Sequence, residues 1–491
     1  MAKEKSTLHL LKWGAKVLIV RPDAIGDVML LLPAIKALKE ARPDLHITLM
    51  LQAYTAELMT YFPEVDEVFI DWKKKGLLFF FSYARHLRSL KFDAVIYAFF
   101  QPYHTWLGVL AGIPIRIGDS QKFPLNLLLT HPVKQHFRNI GLHEVEHNFT
   151  LLKPLLGAIQ KPKESLILRG IQTGPAKALL KTNGWDGVSE LICIHPSTGG
   201  GNRAWLPEKY AELISLISEK TSYQIILTGF GQKEKGIIDT ILRHTQANPI
   251  VLFEKTSLKE LVSVLACCQA VVGTDTGPTH IAAGIKVPVL CISPTKFVKS
   301  LRWGPWQTKN RVINVSEACD KVCNPYVCQE TFCLEAIKPE RVFQELQRLL
   351  KENRSFDKEA WLKASISVGI YVQKGEEWVS LAVLLRQQGY RLVLIFQEER
   401  IRSWPETLEK EVRVIENVSP YSFSKWHQLI TRHDIEVLYV PDQDSFLRKV
   451  FWFLIRQFVA PFISAPPLIQ PYPLPDLSNP GQVCFQAFEK N

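Results

Sequence analysis

Three short stretches of this sequence bring together side chains able to move a proton or hold an anion. The first is Arg21-Pro22-Asp23-Ala24-Ile25-Gly26-Asp27, in which an arginine precedes two carboxylates. The second is His195-Pro196-Ser197-Thr198-Gly199-Gly200-Gly201-Asn202-Arg203-Ala204-Trp205. Its glycines let backbone N–H groups approach a ligand, its hydroxyls can donate hydrogen bonds, and Arg203 adds a fixed positive charge suited to phosphate. The third is Gly273-Thr274-Asp275-Thr276-Gly277-Pro278-Thr279-His280-Ile281-Ala282-Ala283-Gly284, where Pro278 is placed to be the first residue of a helix capped by Gly277 or Thr276. Such a start turns unpaired N–H groups and the positive dipole end toward an anion, and Asp275 just before it can accept hydrogen bonds from sugar hydroxyls.

Each stretch also has a plainer reading. Asp27 and Asp23 can simply stabilise a helix start, since carboxylates are common in first turns. The glycine run after Thr198 can be a flexible loop, His280 a hydrogen-bonded core histidine and Asp275 a turn former. Neither GxxxxGK[ST] nor a clean GxGxxG occurs, which argues against an NTPase and against a dinucleotide-dependent oxidoreductase. Cys319, Cys323, Cys328 and Cys333 could converge on a zinc ion or an iron–sulfur cluster, but they lack the paired short knuckles of structural zinc sites, so a structural loop is the preferred reading.

The elements that must position these groups follow from periodicity. Lys16 to Val20 reads as a strand, Val28 to Ala41 as a helix and Ile47 to Leu51 as a second strand, which makes one β-α-β unit. The alternation continues through Val65 to Ile70, a helical Leu77 to Leu90, Ala94 to Ala98 and Ile113 to Ile117. A second cycle has strand-like runs at Leu191 to Ile194, Gln224 to Leu227, Ile250 to Phe253, Ala270 to Val272 and Val287 to Cys291, with a clear amphipathic helix at Glu208 to Ser218. Two Rossmann-like domains in tandem are expected, 1–170 and 171–352, with a hinge and a cleft near 160–178. A charged linker then leads to a smaller α/β accessory domain, 353–465, with strands at Ser365 to Tyr371, Leu392 to Phe396 and Ile435 to Val440. The tail 466–491 has too many prolines for a helix or central strand and should be extended. In an open α/β sheet, ligands bind beyond the carboxyl ends of the strands, which is where all three chemical stretches fall.

Composition bounds the rest. The chain has 491 residues, 47% apolar and 22% charged, and is an ordinary globular protein rather than a fibrous or disordered one. Its net charge of +11 favours polyanions without choosing among them. The N-terminus lacks the features of a signal peptide, and no apolar run reaches the ~20 residues needed to span a bilayer. Cys193, Cys267, Cys268 and Cys291 lie in apolar runs, as reduced thiols of a cytoplasmic protein do. Lys73-Lys74-Lys75 followed by Leu77 to Phe81, Arg85 and Arg88 mixes cations with large apolar residues, which suits an interfacial helix as well as a buried one. Arg448-Lys449 with Phe451 to Phe462 has the same character, though a core helix explains it better.

Taken together, the motifs resemble the glycosyltransferase family 9 heptosyltransferases, which build the inner core of lipopolysaccharide. The resemblance rests on Val17 to Arg21 through Gly26-Asp27, on Pro33 to Leu38, on His195-Pro196 with Arg203 and Trp205-Leu206-Pro207, and on Gly273 to His280. It covers roughly residues 15 to 350. It implies a GT-B fold in which the first Rossmann-like domain binds the acceptor and the second an ADP-heptose-like nucleotide-sugar donor. It further implies an inverting, metal-independent transfer without cofactor to a lipid-linked oligosaccharide acceptor, at or near the cytoplasmic face of the inner membrane and without nucleic acid. By the resemblance Asp27 is the general base. Ser197, Thr198, Arg203, Thr276, Gly277 and His280 hold the donor diphosphate, and Asp275 the donor sugar. Asp23 departs from the pattern, standing where the family commonly has a small hydroxyl residue. A non-catalytic nucleotide-sugar-binding protein is the competing reading.

Overall fold

The computed structural model describes residues 11–72, 76–135, 142–156, 167–197, 205–293, 302–306, 308–314 and 332–353, and the backbone of five further strands between 367 and 471. The chain forms two compact units, Met1–Leu168 with Pro175–Ser355 and Arg169–Gly174 with Phe356–Asn491.

The first unit holds two lobes, each built on a six-stranded parallel sheet. In the first lobe the strands are β1 (Lys16–Val20), β2 (His46–Leu51), β3 (Glu67–Ile70), β4 (Ala94–Tyr97), β5 (Ile115–Asp119) and β6 (His131–Val133), in the order β3-β2-β1-β4-β5-β6. Its main helices are α1 (Ile25–Ala41), α2 (Leu77–Ser89), α3 (Pro102–Leu110) and α4 (Glu144–Leu151). The central strand β1 is Lys-Val-Leu-Ile-Val with its last four residues buried, the continuous apolar run of a strand covered by helices on both faces. On one of those faces Leu18, Val20, Tyr83, Leu87, Tyr97 and Leu107 close a core between the sheet and α2 and α3.

The second lobe repeats the plan with β7 (Leu191–His195), β8 (Gln224–Gly229), β9 (Ile250–Phe253), β10 (Cys268–Gly273), β11 (Val289–Ile292) and β12 (Asn310–Ile313), in the order β12-β11-β10-β7-β8-β9. Its main helices are α5 (Pro207–Lys220), α6 (Gly231–His244), α7 (Leu258–Cys267), α8 (Gly277–Gly284) and α9 (Pro339–Asn353). Trp205, fully buried, anchors the core: its indole N–H donates to the carbonyl of Ile337 at 3.1 Å, and its ring meets Tyr210 edge-on at 4.8 Å. Pro207 opens α5, where a missing N–H costs nothing because first-turn donors have no intrahelical partner.

The second unit contains a parallel sheet of five strands, β13 (Ser367–Val372), β14 (Arg391–Phe396), β15 (Arg413–Ile415), β16 (Ile435–Val440) and β17 (Leu468–Pro471), ordered β15-β14-β13-β16-β17. This is the same winding as in each lobe. The proline-rich tail therefore contributes a strand, but at the sheet edge, where a missing N–H is tolerated. Among the described residues no helix is long and apolar enough to cross a membrane. Lys73 to Lys75, Cys319, Cys323, Cys328 and the basic-apolar stretch Arg448 to Phe462 lie outside the described residues, whereas Cys333 lies within them.

Candidate active site

The carboxyl end of β1 delivers Arg21, a 5% exposed side chain whose guanidinium organises the loop that follows. Its Nη1 donates to the carbonyl of Ala98 at 2.6 Å and its Nη2 to Asp27 Oδ1 at 2.6 Å, while its Nε stands 3.1 Å from Asp23 Oδ1. Asp27 lies in the first turn of α1, where the helix dipole favours a negative charge. Gln52 closes the loop from the end of β2 by donating from its amide to the carbonyl of Pro22 at 2.8 Å.

The second lobe brings the turn between β10 and α8 against this loop. Thr276 is the extended N-cap residue of α8, and its N–H donates to the hydroxyl of Thr279 at 3.1 Å. That hydroxyl in turn donates to the carbonyls of Thr274 and Thr276, both at 2.7 Å. The turn is thus locked from within, with Asp275, Thr276 and Gly277 partly exposed and the residues after them buried.

Helices α1 and α8 form the seam between the lobes, and glycine is one partner in each of three close approaches. A Cβ on Gly26 would lie 2.9 Å from His280 Cδ2, one on Gly277 2.8 Å from Ile25 Cβ, and one on Gly284 2.5 Å from Met29 Cε. The lobe connection is fastened to the same helix, because the N–H groups of Ile167 and Leu168 both donate to the carbonyl of Gly284, at 3.1 and 3.3 Å. A second junction joins α4 to the segment 302–306. Arg302 binds the buried carboxylate of Glu144 at 2.7 Å, and His143 Nε2–H donates to the carbonyl of Gly304 at 2.9 Å while its ring lies 4.6 Å from that of Trp306. At a third, the N–H of Lys259 in α7 donates to the carboxylate of Glu57 at 3.1 Å and the phenol of Tyr61 lies 3.3 Å from Ser263 Oγ.

Burial sets the protonation of these groups. It pushes the Asp23 carboxyl up to about 7, against the attraction of Arg21 and with the help of the Asp27 charge. Asp27 is also raised by burial, opposed by Arg21 and reinforced by Glu144. Burial has the reverse effect on imidazoles: it lowers His280 to about 3 and depresses His143 and His195, so all three are neutral near pH 7.

Of the residues expected from sequence, the structure brings Asp27, Asp275, Thr276, Gly277 and His280 together along the seam. His280 is the most deeply placed of these polar groups. It is only 4% exposed, and its ring fills the hollow left by the missing side chain of Gly26. Ser197 is buried too, its hydroxyl donating to Glu234, which also accepts from the N–H of Phe230 at 2.6 Å. Ser197 reaches the turn before α8 through its carbonyl, which accepts from the hydroxyl of Thr274. Thr198 and Arg203 lie outside the described residues. Sequence reading missed Glu144, Arg302 and Glu234, which belong to distant elements. It also missed the role of Arg21, for which the paired carboxylates just downstream were a signal.

Residues 80–331 match the model of glycosyltransferase family 9 (heptosyltransferase). Lipopolysaccharide heptosyltransferase 2 of Salmonella typhimurium is 27% identical over 353 residues, which cover 69% of this chain and 99% of that protein. Lipopolysaccharide heptosyltransferase 3 of Escherichia coli is 26% identical over 296 residues, 57% of this chain and 82% of its own. Two solved structures share the two-lobed GT-B fold over 69% of this chain. They are a glycosyl transferase family 9 protein of Veillonella parvula (TM-score 0.58, 20% identity, 97% of its chain) and the E. coli ADP-heptose lipopolysaccharide heptosyltransferase II (TM-score 0.56, 23% identity, 99% of its chain).

Proposed function

From membership of glycosyltransferase family 9, to which this chain belongs, we propose that it transfers a heptose or a related sugar from an ADP-sugar to a lipopolysaccharide core acceptor, inverting the anomeric centre without a metal. The observation that supports this most is the seam itself: the helix start bearing Asp27 meets the helix start bearing Thr276 and Gly277 through contacts at Gly26 and Gly277. In this reading Asp27 and the turn before α8 face the reacting groups from the two lobes.

In this reading the acceptor hydroxyl gives its proton to Asp27 as its oxygen bonds to the anomeric carbon. The bond from that carbon to the diphosphate oxygen breaks, and the electron pair leaves with the nucleoside diphosphate. The charge developing there meets the N–H groups at the start of α8, with Thr198 and Arg203 of the glycine-rich loop completing the anion site and Asp275 addressing the sugar. Ser197 anchors that loop to the turn. A positioned base supplies typically about 10²- to 10⁴-fold in rate.

Peripheral binding to an anionic membrane fits the lipid-linked acceptor. On α2, Leu77, Leu78 and Phe81 are 78%, 90% and 57% exposed, and Arg85 and Arg88 are exposed on the same helix.

The test is calorimetric titration with ADP-, UDP- and GDP-sugars together with transfer assays on Asp27→Asn. Binding of an ADP-sugar, with transfer lost in the variant while ADP affinity persists, is expected. Binding only to uridine or guanosine donors would refute the donor assignment, and full transfer by Asp27→Asn the role of the base.

A further inference from the structure

Two carboxylates lean on one buried guanidinium, and they are not held alike. Arg21 Nη2 donates a well-formed hydrogen bond to Asp27 at 2.6 Å. Its Nε is 3.1 Å from Asp23 Oδ1, yet neither atom has a hydrogen-bond partner, and both are inaccessible to solvent. The third arm of the guanidinium is committed to the carbonyl of Ala98. One positive charge therefore faces two acids and satisfies only one of them.

We propose that Asp23 is a positioning residue for the transfer: it carries the proton that the two carboxyl groups share, so that Asp27 alone stays ionised to receive the proton of the acceptor hydroxyl. The inference rests on the reading of Asp27 as the base.

The surroundings support this placement. A buried carboxylate oxygen lacking a hydrogen bond is a costly place for negative charge, and protonation removes both that cost and the repulsion from its neighbour. The other ionisable groups around the pair do not relieve it. Glu144 of α4 is acidic and is itself bound by Arg302. His143, which caps α4, and His280 of α8 are kept neutral by burial. The phenol of Tyr54, 3.4 Å from the carbonyl oxygen of Asp23, is raised by burial and is neutral as well. Arg21 and Arg302 thus stand against Asp23, Asp27 and Glu144, an excess of one negative charge that a proton on Asp23 cancels. The upward displacement of the Asp23 carboxyl to about 7 agrees with the geometry. During transfer the proton on Asp23 does not move: the acceptor proton goes to Asp27, which afterwards releases it to solvent.

Infrared difference spectroscopy of the full chain across pH, without any sugar present, tests this. A protonated-carboxyl band should appear near neutral pH, be absent from Asp23→Asn and from Asp23→Ser, and move to lower pH in Asp27→Asn, where the like charge is gone. In kcat/KM, the near-neutral inflection of the wild-type profile should be missing from Asp23→Asn. Absence of the band from the wild-type chain, or its persistence in the Asp23 variants, would overturn the proposal, and the serine variant serves if the asparagine variant does not fold. Because the band needs no turnover, a failure of Asp27 as the base would show separately, as retained transfer by Asp27→Asn.

Discussion

The imidazole of His280 occupies the space that a side chain on Gly26 would need, 2.9 Å from Cδ2 to the position of a Cβ. A residue of the second lobe is thereby fitted against the peptide that precedes Asp27 in the first. The fit depends on both partners, since a Cβ at position 26 would collide with the ring that lies there.

Gly26→Ala forces the ring or the helix to shift. Overpacking of this kind costs about 1–3 kcal/mol, and a misplaced reacting group can lower turnover by on the order of 10²-fold. Urea unfolding and transfer assays should show both losses, and Gly26→Ala combined with His280→Ala should recover part of the stability. Unchanged stability in the single variant would mean that the seam yields without strain.

Arg302→Ala leaves the buried Glu144 carboxylate without its cation, which should destabilise the protein by about 3 kcal/mol in chemical unfolding. Arg302 also lowers the Asp27 carboxyl, so its loss should move the acid limb of kcat/KM to higher pH. Adding Glu144→Gln should return both quantities toward the wild type, whereas an unmoved limb would place Arg302 outside the field felt by Asp27.

How much of this could be read from the sequence depends on how local each signal is. The apolar runs of β1, β2 and β7 and the proline that opens α5 are local features, and the sheets fall where those runs predicted. Short strands with mixed composition, such as β6, β12 and β15, have too few residues to show a period and became visible only through pairing. The same holds at the site. Asp27, Asp275, Thr276 and Gly277 belong to motifs, but Glu144 and Arg302 come from α4 and the segment before β12, and nothing in either stretch announces its partner. For His280 the sequence left open a core position and a place on the diphosphate, and its burial against Gly26 could not be read from its own stretch. The hollow that holds it is made by a glycine in the other lobe.

The buried histidine gives a pH signature. Its folded-state value, about 3, lies below the ordinary 6.5, so the folded protein binds fewer protons than the unfolded chain between those limits. Its contribution to stability is complete above about pH 6.5 and is lost progressively as pH falls toward 3. Asp23 and Asp27, raised by burial, contribute with the opposite sign through the acid range above 3.8, so the wild-type slope mixes both. The stability difference between wild type and His280→Gln, measured by urea unfolding at successive pH values, isolates the histidine and should narrow on acidification. A constant difference would show that the ring titrates normally.

For the proposed membrane contact, Leu78→Ser with Phe81→Ser should weaken flotation with vesicles containing anionic lipid while leaving ADP affinity intact. Each exposed side chain offers roughly 1.5–3 kcal/mol on full burial. Salt should weaken what remains, because Arg85 and Arg88 act through screened charge. Equal flotation of variant and wild type would assign membrane contact to another surface.

Each of the three close approaches between α1 and α8 has one partner with no side chain, so the two helices run nearer together there than a pair of side chains would allow. A methyl group added at Gly26 or Gly277 would act as a wedge between the helices, against the His280 ring or the Cβ of Ile25. The spacing of the two helices is in this sense encoded by three missing atoms.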